Sequence, residues 1–353
     1  MLFKFTTLSI TLITLALTGC SKATEPQQAD IAVFEQFLSE NPISSINPSI
    51  DIASIYQPGD PLFEGVLNIQ RNLWGKAEKA LKPLVDKNDP DALYWTALIS
   101  YSGSIKSTPI ARKMLIQSAE LGNPYAALFF APDNHQCQMY FPNDCSEKWV
   151  EKAQKLFAEK AKTGDVRAVY YSTTLKPDLT HKEYIDAVIQ SAEKHYYYPL
   201  VEYANKIINE DKPNKNMEAM AVNLLNYARF NNFVPAIEGL IGNEVQSGRE
   251  GGESYLNYIE QGIKLGSNAA WNLYQLNSLD NNSLNNTQKY IVAKALDLQN
   301  GRSFGLHEVI APKEKDALIA ANKKAQEKAD SVKKVIYIDG AHATMFYSRL
   351  DIQ

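Results

Sequence analysis

The side chains able to do chemistry in this chain of 353 residues are few and scattered. Histidine occurs five times, at His135, His181, His195, His307 and His342, and no two share a metal-ligand spacing. The sequence holds no phosphate loop, no Gly-x-Gly-x-x-Gly, no His-Glu-x-x-His and no Gly-x-Ser-x-Gly. Carboxylates are plentiful, but a working acid–base pair is defined by its separation in space, and chain spacing does not supply that. His195 falls at an expected repeat turn and His342 beside an expected hairpin turn, both ordinary places for a polar residue. Three cysteines, Cys20, Cys137 and Cys145, exclude a disulfide-dense scaffold and a four-cysteine zinc site. The expectation is a chain with no catalytic residues, no metal and no cofactor.

Composition narrows the partner class. Forty-five per cent of residues are apolar, 22% are charged and the net charge is −4. These are ordinary globular values, and a mildly acidic chain lacks the basic stripe that nucleic acid requires. Tyrosine stands out, with 19 copies and the run Tyr196-Tyr197-Tyr198.

Cys20 has its own context. Residues 1–20 read MLFKFTTLSITLITLALTGC, with Lys4 the only charge and an apolar stretch from Phe5 to Leu17. That length suits a secretory segment and is short for a bilayer span. A buried N-terminal strand or helix would show apolar periodicity and caps, and neither is visible. Leu17-Thr18-Gly19-Cys20 resembles the lipobox of bacterial lipoproteins. The resemblance implies cleavage before Cys20, lipid on its sulfur and, with Ser21-Lys22 following, transfer to the outer membrane facing the periplasm. Residues 1–19 are then a signal peptide, and residues 20–30, polar and turn-rich, a lipid-anchored tether. In that oxidising compartment Cys137 and Cys145 are expected to form a disulfide. A redox pair or half a metal site is the alternative, although the seven-residue spacer is not Cys-x-x-Cys.

The elements that must position everything else repeat. Around Gly122 a small residue stands three before (Ala119) and four after (Ala126), and Ala161, Gly164 and Ala168 repeat the pattern. Further copies centre on Asn88, His195, Asn231 and Gly266, with Pro199 and Pro235 in place of the second alanine in two of them. Successive centres lie 34, 42, 31, 36 and 35 residues apart. A period near 35 belongs to helix–turn–helix arrays. Gly122, Gly164 and Gly266, with Asn88 and Asn231, are residues that tolerate the left-handed conformation ending a helix. Asp89-Pro90 and Asn123-Pro124 place a capping side chain before a proline at the first helical position. An irregular helical bundle whose apolar spacing mimics a repeat is the alternative.

Tyr101, Gly103, Ala111, Leu115 and the run Ser118-Ala119-Glu120-Leu121-Gly122-Asn123 resemble the Sel-1-like repeat, a relative of the tetratricopeptide repeat. The match is good over 88–130, fair over 155–205 and faint over 220–275. It departs in having one loop glycine where two are common, and in Arg112-Lys113 following the alanine. The resemblance implies an all-α, right-handed α-solenoid of helix–turn–helix repeats over residues 88–279, with a concave face suited to binding protein. Residues 31–87 are expected to form an N-terminal helical cap with helices near 31–38 and 62–84. Residues 280–353 are expected to add C-terminal helices, including a long exposed one over Lys313–Lys334. A small C-terminal β-hairpin is expected in Lys333–Arg349, centred on Asp339-Gly340. The hairpin reads as a cap, with a mobile binding arm as the alternative.

Two function classes follow. One is a non-enzymatic, lipid-anchored binding protein in the periplasm, with immunity against a type VI secretion effector as the specific role and a general envelope scaffold or assembly factor as the alternative. The other, less favoured, is a cell-envelope hydrolase. Tyrosines lining a concave face would distinguish the first, and a deep pocket with convergent carboxylates the second.

Overall fold

The computed structural model describes residues 23–43, 45–46, 55–210, 213–279, 284–301 and 305–342. Cys20, the expected signal peptide and the second half of the expected hairpin lie outside these residues. Among the described residues the regular structure is helical throughout, with no strand, and no helix is long and apolar enough to cross a membrane.

A first helix, α1 (Asp30–Glu40), is followed by antiparallel pairs: α2 (Phe63–Gln70) with α3 (Trp74–Val85), and α4 (Pro90–Leu98) with α5 (Ser107–Glu120). Next come α6 (Pro124–Leu128), the short α7 (His135–Tyr140) and α8 (Glu147–Lys162), where α6 packs on α8. The stack continues with α9 (Val166–Thr174) and α10 (His181–Glu193), then α11 (Tyr198–Ile208) and α12 (Lys215–Phe230). It ends with α13 (Val234–Gln246) and α14 (Glu253–Leu265), then α15 (Asn268–Leu279) and α16 (Asn286–Asn300), with α17 (Leu306–Ile310) and α18 (Lys315–Asp330) both packed on α16. From α2 to α16 the helices pack mainly on near neighbours in the chain, which is the contact pattern of a solenoid.

Local chemistry sets the helix ends. Asp89 accepts the amide of Ala92 with Pro90 inside the first turn, and Asn123 does the same for Ala126 beside Pro124. Asp165 caps α9, and Thr180 with Glu183 forms a reciprocal capping box on α10. At the other ends the chain turns left-handed at Asn88 (φ 58°), Gly122 (102°), Gly164 (87°), His195 (65°) and Gly266 (87°). The amide that follows reaches back five residues, from Asn123 to the Ser118 carbonyl, Tyr196 to Ser191 and Ser267 to Gly262, closing Schellman turns.

Several expectations need correction. The left-handed residue of the pair α11 and α12 is Asn232 (φ 59°), and Asn231 keeps φ −91° as the residue ending α12. The helix runs one residue further than the spacing predicts, and with that shift the small residue four after the turn is Ala236, fully buried. The stretch 62–84 is two helices, because Asn72 turns left-handed (φ 56°) between α2 and α3. The turn at Gly301 (φ 63°) lies one further period beyond Gly266.

Helix α18 is not a free exposed rod. Ala321, Ala325 and Ala329, four apart, are buried where α18 lies along α16, and the last two join Trp271, Val292 and Leu296 in a second small core. Residues 31–87 do not act as one cap. Helix α1 leaves the start of the stack and docks on its middle, with the Phe34 ring 4.7 Å from Tyr203 and Phe37 5.0 Å from Tyr227. Nor is the whole of 20–30 a loose tether: the His181 ring sits 2.8 Å from the Ala23 carbonyl and 2.7 Å from the Asp30 carboxylate. Lys206 also donates to the Thr24 carbonyl.

Candidate functional site

The residues singled out by sequence do not converge on one place. Asn88, Gly122, Gly164 and Gly266 sit at successive turns along the stack, where their role is backbone conformation. Cys137, buried in α7, and Cys145 form a disulfide with a Cα–Cα separation of 6.0 Å. It closes the insertion between α6 and α8 that makes the repeat interval there long. Cys20 lies outside the described residues. Among the described residues no group of histidine, cysteine and carboxylate side chains is arranged to hold a metal ion.

What does converge is one helix of each pair upon the chain's own C-terminal segment. Residues 332–342 leave α18 and run without strand pairing past α2, α4, α6, α9, α11, α13 and α15, ending in a turn where the Asp339 carbonyl accepts the His342 amide at 3.2 Å. Val335, Ile336, Tyr337 and Ile338 are all buried, as are Asp339 and His342. The expected first strand of the hairpin does not form, while the expected turn at Asp339-Gly340 does. An alternating half-exposed strand needs solvent on one face, and this segment is enclosed by helices on both sides. These helices therefore line the inside of the solenoid, and the segment fills it.

The groove holds the segment largely through its main chain. Gln70 donates to the Val335 carbonyl (2.9 Å), and its own carbonyl oxygen accepts the amides of Tyr337 (2.8 Å) and Ile338 (3.3 Å). Arg71 donates to the carbonyls of Val332 and Lys333 at 3.3 and 3.1 Å. The Tyr94 hydroxyl donates to the Gly340 carbonyl and the Tyr198 hydroxyl to that of Tyr337. Burial pushes the pKa of both hydroxyls far up, so each keeps the proton it donates. Two glycines permit the closest approaches. A Cβ on Gly340 would lie 2.3 Å from the Tyr125 ring, and one on Gly266 would lie 2.9 Å from the Lys333 carbonyl oxygen.

Two side chains of the segment are also read. The Asp339 carboxylate accepts from the Tyr196 hydroxyl at 3.1 Å and lies 4.0 Å from the Arg167 guanidinium. His342 stacks flat on Tyr198, ring centroids 3.8 Å apart, and places one ring nitrogen 2.6 Å from Asp339 and the other 3.2 Å from Glu202 on α11. Burial opposes charge on His342, but Asp339 and Glu202 outweigh it and push its pKa up to about 10. The ring is thus an imidazolium donating from both nitrogens. Burial likewise opposes charge on Asp339, and the His342 and Arg167 cations hold it below the usual carboxylate range. On α13, Glu238 accepts from Ser267 at 2.6 Å, and burial raises its pKa to about 7.

The aromatic rings explain part of the tyrosine excess. Tyr94, Tyr125 and Tyr171 follow one another along α4, α6 and α9 with centroids 6.3 and 5.9 Å apart. Tyr196 and Tyr198 continue the row to Phe233, at 6.3 and 4.9 Å. Sequence reasoning held that tyrosines on a concave face would mark a binding protein, without placing any one of them there. It missed Asp339 and His342, because an Asp-Gly pair after an apolar run carries the chemistry of a hairpin turn as well as that of a buried ligand.

No protein-family model matches the chain, and no curated protein does. Among solved structures, a Sel1 repeat protein from Oxalobacter formigenes aligns over 82% of this chain and 96% of its own, at 14% identity and a TM-score of 0.34. The assignment of the fold rests on the helices and turns themselves. In those, the chain is an all-α solenoid that resembles the Sel1 repeat proteins.

Proposed function

We propose that this chain is a non-enzymatic protein-binding solenoid, anchored by lipid on Cys20 at the periplasmic side of the bacterial outer membrane. Its proposed role is immunity, neutralising a membrane-directed effector delivered by type VI secretion. The observation that carries the binding reading is the inner groove, which grips the chain's own segment 332–342 by its main chain. The address is supported by the lipobox-like Leu17-Thr18-Gly19-Cys20 and by the Cys137–Cys145 disulfide, a bond that persists in oxidising compartments.

Ala23 is fixed against His181, and three residues of chain span at most about 10 Å. A lipid on Cys20 would therefore hold the α10–α11 region close to the bilayer. Confinement there raises the effective concentration against anything acting on that membrane. Replacing Cys20 with serine should release the protein from the membrane fraction, and unchanged fractionation would overturn the anchor. Deleting the gene should make a strain sensitive to its siblings in mixed culture. Unchanged survival would overturn the immunity role in favour of an envelope scaffold.

A further inference from the structure

The cis segment shows what the groove is built to hold. A core strand buried by packing alone needs only apolar side chains. Here the buried segment also presents a carboxylate and an imidazolium, which pair with each other at 2.6 Å across a turn in which the carboxylate accepts the amides of Ala341 and His342, and each also meets a groove partner: Arg167 and Tyr196 for Asp339, Tyr198 and Glu202 for His342. The main chain is read by Gln70, Arg71, Tyr94 and Tyr198, and the step between the two charged residues is read by Tyr125, whose ring leaves no room for a Cβ at position 340. The segment enters from an exposed turn at Ser331, so its covalent link to the solenoid is a surface feature.

We propose that the inner groove is a sequence-reading peptide site, and that it accepts in trans a protein segment of the form apolar run followed by a turn of Asp, Gly, small residue and His, for which residues 335–342 stand in. This inference rests on the binding reading above, though not on the lipid anchor or the immunity role. The ligand follows from the walls. Arg167 and Tyr196 select an acid, the Tyr125 ring selects glycine next to it, and the aromatic and carboxylate pair of Tyr198 and Glu202 selects a cationic ring two residues on. The chain's own copy holds the site closed, so a competing segment gains access when the cis copy is weakened or cut loose.

The test uses a labelled synthetic peptide of residues 333–342 and the purified full chain. Gly340→Ala in the protein sets the cis segment against Tyr125. This variant is expected to bind the wild-type peptide at least tenfold more tightly than the unmodified protein does. Peptides carrying Gly340→Ala or Asp339→Ala are expected to lose at least tenfold of that binding. A second form preserves every groove contact: a protease site inserted after Ser331, cleaved in the folded protein. Exchange of the labelled peptide into the nicked, still helical protein supports the proposal. Loss of helix on nicking, or retention of the original segment without exchange over days, overturns it, because the segment is then core and not ligand. Equal binding of the altered peptides overturns it as well. Purified protein suffices for all of these measurements, so their failure is distinct from a failure of membrane fractionation or sibling competition.

Discussion

His342 carries the most consequential single charge in the molecule. Its folded pKa, about 10, stands above the ordinary imidazole value near 6.5. Its contribution to stability is therefore full below about pH 6.5 and is lost as pH rises through about 10. Glu238 acts in the same direction. It stays neutral in the fold up to about pH 7 while the unfolded chain ionises near 4.5, so folding weakens across that interval. Asp339, held below the usual range, loses its contribution only as pH falls through its depressed folded value. The urea midpoint is expected to decline from about pH 5 to about pH 10, and His342→Gln should flatten the upper part of that decline. A midpoint that rises with pH over this range would contradict the cluster. The same substitution leaves Asp339 buried with less counter-charge, and a loss of about 3 kcal/mol or more is expected in urea unfolding at pH 6. At this scale the sequence was legible where backbone conformation decides the residue, as at Gly122 and Gly266. It was silent where residues distant in sequence decide, since nothing near His342 in the chain announces Glu202 or Tyr198.

Among the elements, helix starts were the most legible because a cap is a local device. Asp89 accepts the Ala92 amide at 2.9 Å beside Pro90. Asp89→Ala should lower stability by about 1 kcal/mol, read as a shift of the urea midpoint with an unchanged slope. The α6–α8 insertion is held by the Cys137–Cys145 bond, with the Phe141 carbonyl beside both sulfurs. Replacing both cysteines with serine should cost about 2–3 kcal/mol by the chain-entropy model, with faster amide exchange confined to the insertion. Faster exchange in α11 as well would show the insertion to be coupled to the groove. The elements misread from sequence failed for one reason. The alanine stripe of α18 and the apolar run 335–338 are each compatible with exposure or burial, and only the neighbour they meet decides between the two. Helix α16 decides for the first and the seven inner helices for the second.

The whole molecule departs from an open linear stack. Lys334 reaches Glu64 at 3.0 Å, Arg71 holds the carbonyls of 332 and 333, and the turn at Gly301 abuts Asn72 and Leu73. The last helices thus meet the first pair, and the segment 332–342 ties the interior together from α2 to α15. Helix α1 adds a second long-range tie, through Asp30 to His181 and Tyr203. Terminal repeats of an open solenoid should fray independently. With the ends joined, unfolding is expected to be a single transition, with coincident far-ultraviolet and tyrosine-fluorescence curves. The repeat period foretold the stack and could not foretell its closure, because the ties run between residues 151 or more positions apart.

The central claim is that the interior of this solenoid holds residues 335–342 as a bound, main-chain-read segment. Hydrogen exchange at residue resolution tests it most directly, because an unpaired extended segment on the surface exchanges almost at once. The amides of Tyr337 and Ile338, both donated to Gln70, are expected to exchange as slowly as those in the middle of α11, and Gln70→Ala should speed them at least tenfold while α11 stays protected. Exchange of Tyr337 and Ile338 at the rate of a free chain, in a protein whose helices remain protected, would contradict it.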